Sequence, residues 1–328
     1  MKENRKKSAL RAAAVTTAAA AVVVAAGAAA TQLLVKTALD REEPKLVRRF
    51  GKKRVHTARD RDYGRARHDA AKKLEALPHE VVTLVSHDGE QLCGHWFPCK
   101  NAKRAVLAMH GWRSSWSMDF GLIAEFWFRT GCSVLFAEQR GQNNSGGDYM
   151  GFGLAERFDC LDWANWIDAR EKGKLPIYLS GVSMGASTVL MAAGLRLPEN
   201  VRGVIADCGF TSPEAIWEHV AQEKLHLGRS RLRSALVDRQ FRRRLKMSAH
   251  ADSTTQALRR CKIPVLLIHG TEDRFVPIEM TYENYLACAS PKRLLIVPGA
   301  AHAQSCFVEP ERYEVAVAAL FADCERME

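Results

Sequence analysis

The sequence predicts an α/β protein, an open and mostly parallel eight-stranded sheet with helices on both faces and a small helical cap. Three observations predict it. Short continuous apolar runs alternate with segments of helical period, the pattern of a parallel sheet covered on both faces. The alternation opens with a hairpin, because the first two β-like runs flank the turn signal His87-Asp88-Gly89. One later connection runs for about 55 residues, roughly twice what a crossover helix needs. With 328 residues, 47% hydrophobic and 26% charged, the chain can bury a large core. The same figures exclude a wholly disordered, collagenous or polytopic membrane protein.

The net charge of +11 belongs to the N-terminal quarter. Residues 1–75 carry 19 Lys/Arg and 8 Asp/Glu, and the remainder carries 29 of each. Basic tails meet anionic lipid or nucleic acid. Nucleic acid is not expected as a partner, since neither interleaved aromatics nor a recognised binding domain accompanies the charge. Residues 1–11 form a basic n-region, and residues 12–35 contain no charged side chain. That length spans ~30 Å of hydrocarbon as a helix. The stretch reads as a transmembrane anchor, as a signal peptide cleavable at Ala28-Ala29-Ala30, or as an Ala-rich soluble or interfacial helix. The expectation is a catalytic domain held at a membrane by one N-terminal helix on the extracytoplasmic side, or secreted after cleavage. Residues 36–77, polar and basic with a weak helical pattern over 68–77, read as a juxtamembrane stalk, and residues 78–328 as the folded domain.

Within that domain the apolar runs predict strands at 81–86, 91–97, 105–109, 133–137, 177–180, 201–206, 263–269 and 293–297. Helical patterns lie between or after them at 120–129, 154–169, 186–196, 279–287 and 311–323. The long connection predicts a cap insertion over about 211–260 made of two short helices. It holds a basic cluster (Arg231, Arg233, Arg239, Arg242, Arg243 and Arg244 among others) opposed by Glu223 and Asp238. This cluster is either a solvated surface or an electropositive rim for an anionic substrate or lipid headgroup. The nine cysteines sit partly in apolar runs, as Cys132, Cys208 and Cys261 do, and read as buried thiols. Cys93 and Cys99 are the candidate pair; no Cys/His spacing suggests a metal site, so no metal ligand is expected.

The strongest local signal is Gly181-Val182-Ser183-Met184-Gly185. A bare GxSxG arises by chance on the order of 0.1 times in such a chain, so the motif needs its context. The context is an apolar run before it and a helix-like run after it, the strand–turn–helix of a nucleophile elbow. A serine hydroxyl needs a base to take its proton, and the base needs a third group to orient it. Both follow at the ends of later strands. The run ending at His269 leads into Gly270-Thr271-Glu272-Asp273, and the run ending at Val297 leads into Gly299-Ala300-Ala301-His302. Asp273, with Glu272 as its rival, and His302 therefore complete a candidate triad with Ser183. An oxyanion hole needs two backbone N–H donors. Met184 directly follows the nucleophile, and Trp112 follows Gly111 in the loop after the third strand. His110 and His269 read as structural.

On His110-Gly111-Trp112, Arg140-Gly141 through Ser145-Gly146-Gly147, the 181–185 motif, the segment 270–277 and the segment 299–302, the chain resembles the α/β-hydrolases over roughly residues 80–325. Within them it is similar to bacterial serine-aminopeptidase-like and dienelactone-hydrolase-like enzymes. Where many relatives have Asp before the Arg-Gly segment, this chain has Glu138, a position of structural rather than catalytic kind. The resemblance implies Ser183 as nucleophile, His302 as general base and then acid, Asp273 as its orienter, and an acyl-enzyme route that needs no cofactor. The expected substrate is a small acyl ester or a lipid, with Trp116, Phe120 and Trp217 as candidate pocket residues. Peptide, amide or thioester hydrolysis on the same fold is the nearest alternative; a non-catalytic, membrane-tethered binding module is the alternative of another class.

Overall fold

A computed structural model describes residues 27–45, 57–226, 228 and 230–326. Strands β1 (Glu80–Val85), β2 (Gln91–Phe97), β3 (Arg104–Met109), β4 (Cys132–Ala137), β5 (Ile177–Val182), β6 (Val201–Asp207), β7 (Val265–Gly270) and β8 (Lys292–Val297) make one sheet. Their order is β1-β2-β4-β3-β5-β6-β7-β8. Strand β2 runs antiparallel to both β1 and β4, and every later pairing is parallel. The predicted strands are all present, each within two residues of its expected ends. Alternation along a strand sends successive side chains to opposite faces. Val106 and Ala108 of β3 thus enter one apolar layer, and Ala105, Leu107 and Met109 enter the other. Both layers are covered by helices, which is why the central strands read as unbroken apolar runs.

The helices are α1 (Ala58–Glu75), α2 (Trp116–Arg129), α3 (Glu156–Arg170), α4 (Met184–Ala192), α5 (Pro213–Leu225), α6 (Arg231–Leu245), α7 (Thr254–Arg260), α8 (Ile278–Ala287), α9 (Ser305–Val308) and α10 (Pro310–Glu325), preceded by a helical segment over residues 27–39. Helices α5 and α6 form the cap. Its basic face is partly neutralised, since Arg242 pairs with Asp238 at 2.7 Å and Arg244 with Asp40 at 2.7 Å. All nine cysteines carry free thiols, and Cys93 and Cys99 are not joined.

Two N-terminal expectations are corrected. No helix among the described residues is long and apolar enough to cross a membrane. Residues 12–26 lie outside the described residues; 27–35 belong to a helical segment described over residues 27–39. Its apolar side is spent on protein rather than lipid. Thr31, Val35 and Leu39, spaced at i and i+4, are buried against the domain. Beyond its end, the Asp40 backbone bridges to Tyr149, and the Arg41 N–H donates to the Asp148 carbonyl at 2.8 Å. A membrane-anchored arrangement is therefore not what the described residues support.

The second correction concerns the stalk. Over Ala58–Glu75 it is helix α1, started by a reciprocal capping box between Thr57 and Asp60. Ala71 and Leu74 of α1 are buried, and the helix lies directly on α2. The contact is tight at Gly121, where a Cβ would stand 2.8 Å from the Ala70 carbonyl carbon and 2.9 Å from the Ala71 nitrogen. We expect Gly121→Leu to lower the urea-unfolding free energy by about 1–3 kcal/mol through overpacking, outweighing the ~1 kcal/mol that glycine costs a helix. A loose stalk would leave the unfolding midpoint unchanged or raised.

Candidate active site

The site is built on the C-terminal edge of the parallel strands. Strand β5 ends at Val182 and helix α4 begins at Met184, so Ser183 is the single residue that turns the chain. Its backbone has φ 55° and ψ −116°, a conformation costly for a residue with a side chain. The flanking glycines make the turn possible. A Cβ on Gly185 would lie 1.8 Å from the Met109 carbonyl oxygen, and one on Gly181 would lie 2.1 Å from the Gly185 carbonyl oxygen. The Ser183 N–H donates to the Asp207 carbonyl at 2.8 Å, which fastens the turn to β6.

The three candidate triad residues meet. The Ser183 hydroxyl stands 2.9 Å from His302 Nε2, and His302 Nδ1 stands 2.6 Å from Asp273 Oδ2. A carboxylate can only accept, so Nδ1 carries the proton and Nε2 is free to accept from the serine. Asp273 is held from all sides. Its Oδ1 accepts the N–H groups of Phe275 and Val276 at 2.8 and 2.9 Å. Buried His269 approaches its Oδ2 at 3.3 Å, with Nε2 also 3.0 Å from the Val276 carbonyl. Burial alone would raise the Asp273 pKa; the electrostatic attraction to His302 and the hydrogen bonds from both histidines outweigh it and hold the carboxyl well below the usual carboxylate range. His269 thus packs its ring against the Asp273 carboxylate. Glu272 contributes no contact to this chain of hydrogen bonds; its N–H donates to the Ala300 carbonyl at 2.9 Å.

Above Ser183 runs the loop after β3. A Cβ on Gly111 would come within 3.4 Å of the Ser183 Cβ, so the Gly111–Trp112 backbone passes directly over it. Met184 opens helix α4, where backbone N–H groups have no intrahelical acceptor. The loop is pinned from three directions. The Gly111 N–H donates to Asp119 Oδ2 at 2.6 Å, while Asp119 is paired with Arg67 of α1 and accepts the Ser114 hydroxyl at 2.7 Å. The Arg113 N–H donates to Gln142 Oε1 at 2.5 Å. Buried His110 accepts the Gln139 N–H at Nε2, 3.1 Å away, and faces the Gly111 carbonyl with Nδ1 at 2.8 Å, a structural role. Glu138 is likewise structural, bound to His95 at 2.9 Å and to the Asn144 N–H at 2.5 Å.

The candidate pocket residues separate. Trp217 lines an apolar cavity of about 290 Å³ together with Trp112, Phe152 and Phe275. Phe275 also lies against His302, with ring centroids 4.9 Å apart, so the cavity adjoins the candidate triad. Trp116 and Phe120 do not reach it. Trp116 stacks on His95 at 4.2 Å and packs against Phe136, and Phe120 packs against Trp127 and Phe136. Both fill the core between α2 and the sheet because they occupy the inward face of α2. Phe152 and Phe275 were not anticipated, although Phe275 stands two residues after Asp273 in a loop that must face the site. Asp119 and Arg67 carried no motif signal.

Asp207, at the end of β6, is a further buried acid beside the triad. Burial raises its pKa to about 6, against partial relief from His269 and from the Ser305 hydroxyl 3.1 Å away. A carboxyl whose folded pKa lies above its unfolded value of 3.8 costs stability once the unfolded chain ionises first. The fold should therefore lose stability between about pH 4 and pH 6 and change little from this group above that. We expect Asp207→Asn to gain up to about 3 kcal/mol relative to the parent across that window, read as urea midpoints at a series of pH values. A constant difference between the two proteins would show that Asp207 titrates normally.

The model of the alpha/beta hydrolase family matches residues 105–319. The chain is 24% identical over 238 residues to the uncharacterized protein YqkD of Bacillus subtilis, covering 73% of this chain and 77% of YqkD. Its structure is similar to that of the Pyrococcus furiosus esterase Pf2001, with a TM-score of 0.61 at 22% identity over 77% of this chain and 95% of the esterase. It is also similar to a dienelactone hydrolase from Anabaena variabilis, with a TM-score of 0.50 at 22% identity over 75% of this chain and 96% of that enzyme. With the family model covering well over half of its length, the chain belongs to the alpha/beta hydrolase family, and its broad activity is that of a hydrolase.

Proposed function

We propose that this hydrolase cleaves carboxylic esters through an acyl-enzyme on Ser183. The observation that carries the reading is the unbroken line from Asp273 through His302 to Ser183, at 2.6 and 2.9 Å, with the serine on a strained turn. As the Ser183 Oγ attacks the acyl carbonyl, His302 Nε2 takes its proton. Asp273 keeps the Nδ1 proton in place and stabilises the imidazolium. The N–H groups of Met184 and Trp112 stabilise the oxyanion of the tetrahedral intermediate. His302 then protonates the leaving alkoxide oxygen, and the acyl group stays on Ser183. A water enters, loses its proton to His302 and attacks the acyl carbon; collapse returns the proton to Ser183 and releases the acid. The adjoining cavity favours an ester over a peptide. Among the described residues its lining is apolar and includes no carboxylate to hold a substrate ammonium group. The likeness to an esterase in fold is consistent with this reading.

Labelling of the full chain with a fluorophosphonate should be complete in the parent and absent in Ser183→Ala, with kcat on p-nitrophenyl esters lowered by roughly 10⁴-fold or more. A folded parent that is neither labelled nor active would refute the proposal. Asp119→Ala frees the Gly111 N–H and loosens the oxyanion loop. It should lower kcat about 10- to 100-fold with a much smaller change in KM, because the contact it supports forms in the transition state. A change confined to KM would count against that role.

A further inference from the structure

The cavity beside Ser183 has a wall that comes from outside the family-matched region. Ala30, Leu33, Leu34, Thr37 and Ala38 of the helix over residues 27–39 line it, at the spacing of one helical face. Ile216, Trp217 and Val220 of the cap helix α5 face them. The neighbouring face of the same N-terminal helix is the buried stripe Thr31, Val35 and Leu39, and Gln32 and Lys36 on its remaining side are exposed. Each face thus has a separate task.

This helix is fastened to the loop that carries the oxyanion donor. Trp112 Nε1–H donates to the Ala38 carbonyl at 2.9 Å. The Arg113 guanidinium donates to the carbonyls of Thr37, Asp40 and Arg41 at 2.9, 2.6 and 3.0 Å. Carbonyls at a helix C-terminus lack intrahelical donors, so these bonds answer a need of the helix itself. From the cap, Arg244 holds Asp40 at 2.7 Å. The helix is therefore clamped between the oxyanion loop and the cap, with the half-open cavity between them.

We infer that the helix over residues 27–39 is the outer wall of the acyl-binding pocket and sets the acyl length this enzyme accepts, and that its substrates are esters of medium-length apolar acids. The inference rests on the ester-hydrolase reading above. A volume of about 290 Å³ lies at the lower end of ligand pockets and takes several methylenes, not a long fatty chain. Each methylene that enters should raise kcat/KM roughly threefold to fourfold until the pocket is full. The profile should then fall before palmitate.

The test uses the full chain and p-nitrophenyl esters from acetate to palmitate. Leu34→Trp fills the pocket from the helix side. It should lower the octanoate-to-acetate ratio of kcat/KM by roughly tenfold, the value of about two displaced methylenes, and move the optimum to shorter chains. Val220→Ala enlarges the pocket from the cap side and should move the optimum to longer chains, which keeps the test open if Leu34→Trp does not fold. Gln32→Trp, on the exposed face of the same helix, should leave the profile unchanged. An optimum that moves in neither pocket variant overturns the inference, as does a Gln32→Trp profile altered as much as that of Leu34→Trp. Fluorophosphonate labelling of the parent separates the two levels. A labelled parent with an immovable optimum removes this inference alone, and an unlabelled parent removes the ester-hydrolase reading and this one with it.

Discussion

The backbone at Ser183 cannot relax, and much of the molecule is arranged around that constraint. The positive φ points the hydroxyl out of the sheet edge, where a base can reach it. It survives because β5 lies between β3 and β6, and because the start of α4 is packed against the carbonyl of Met109 with no room for a Cβ at Gly185. A central strand cannot shift without breaking two ladders, so the cost of the turn is spread over the most cohesive part of the fold.

Electrostatics at the site divide along the same lines. Asp273 and Asp207 stand at the ends of adjacent strands and are both buried, yet their pKa values move in opposite directions. Asp273 accepts two backbone N–H groups and is approached by two imidazoles, which outweigh desolvation. Asp207 has the Ser305 hydroxyl and no hydrogen bond from an imidazole among the described residues, and desolvation wins. Burial sets the scale in both cases, and the number and closeness of donors decides the sign.

The segments that precede the family-matched region reach into this machinery. Arg67 of α1 pairs with Asp119, which accepts the Gly111 N–H in the loop after β3. The helix over residues 27–39 receives Trp112 and Arg113 from the same loop. The part of the chain with the least recognisable sequence thus holds the part with the most recognisable one.

The eight strands and the helices between them were legible in the sequence because they depend on local period and turn chemistry, and motif spacing brought Ser183, Asp273 and His302 forward as candidates. The sequence located the cap and the loop that covers Ser183 for the same reason. It could not tell Trp217 from Trp116 and Phe120: all three are aromatic residues near the start of a helix, and which one meets the cavity depends on how α2 and α5 are rotated against their neighbours. Nor could it assign the apolar residues near the N-terminus. An uncharged Ala/Val/Leu run favours any surroundings that exclude water, and composition does not say whether those are lipid or protein. For residues 27–39 the packing answers the question, by bringing the donors of Trp112 and Arg113 to the carbonyls at the end of the helix and an apolar cavity to its side.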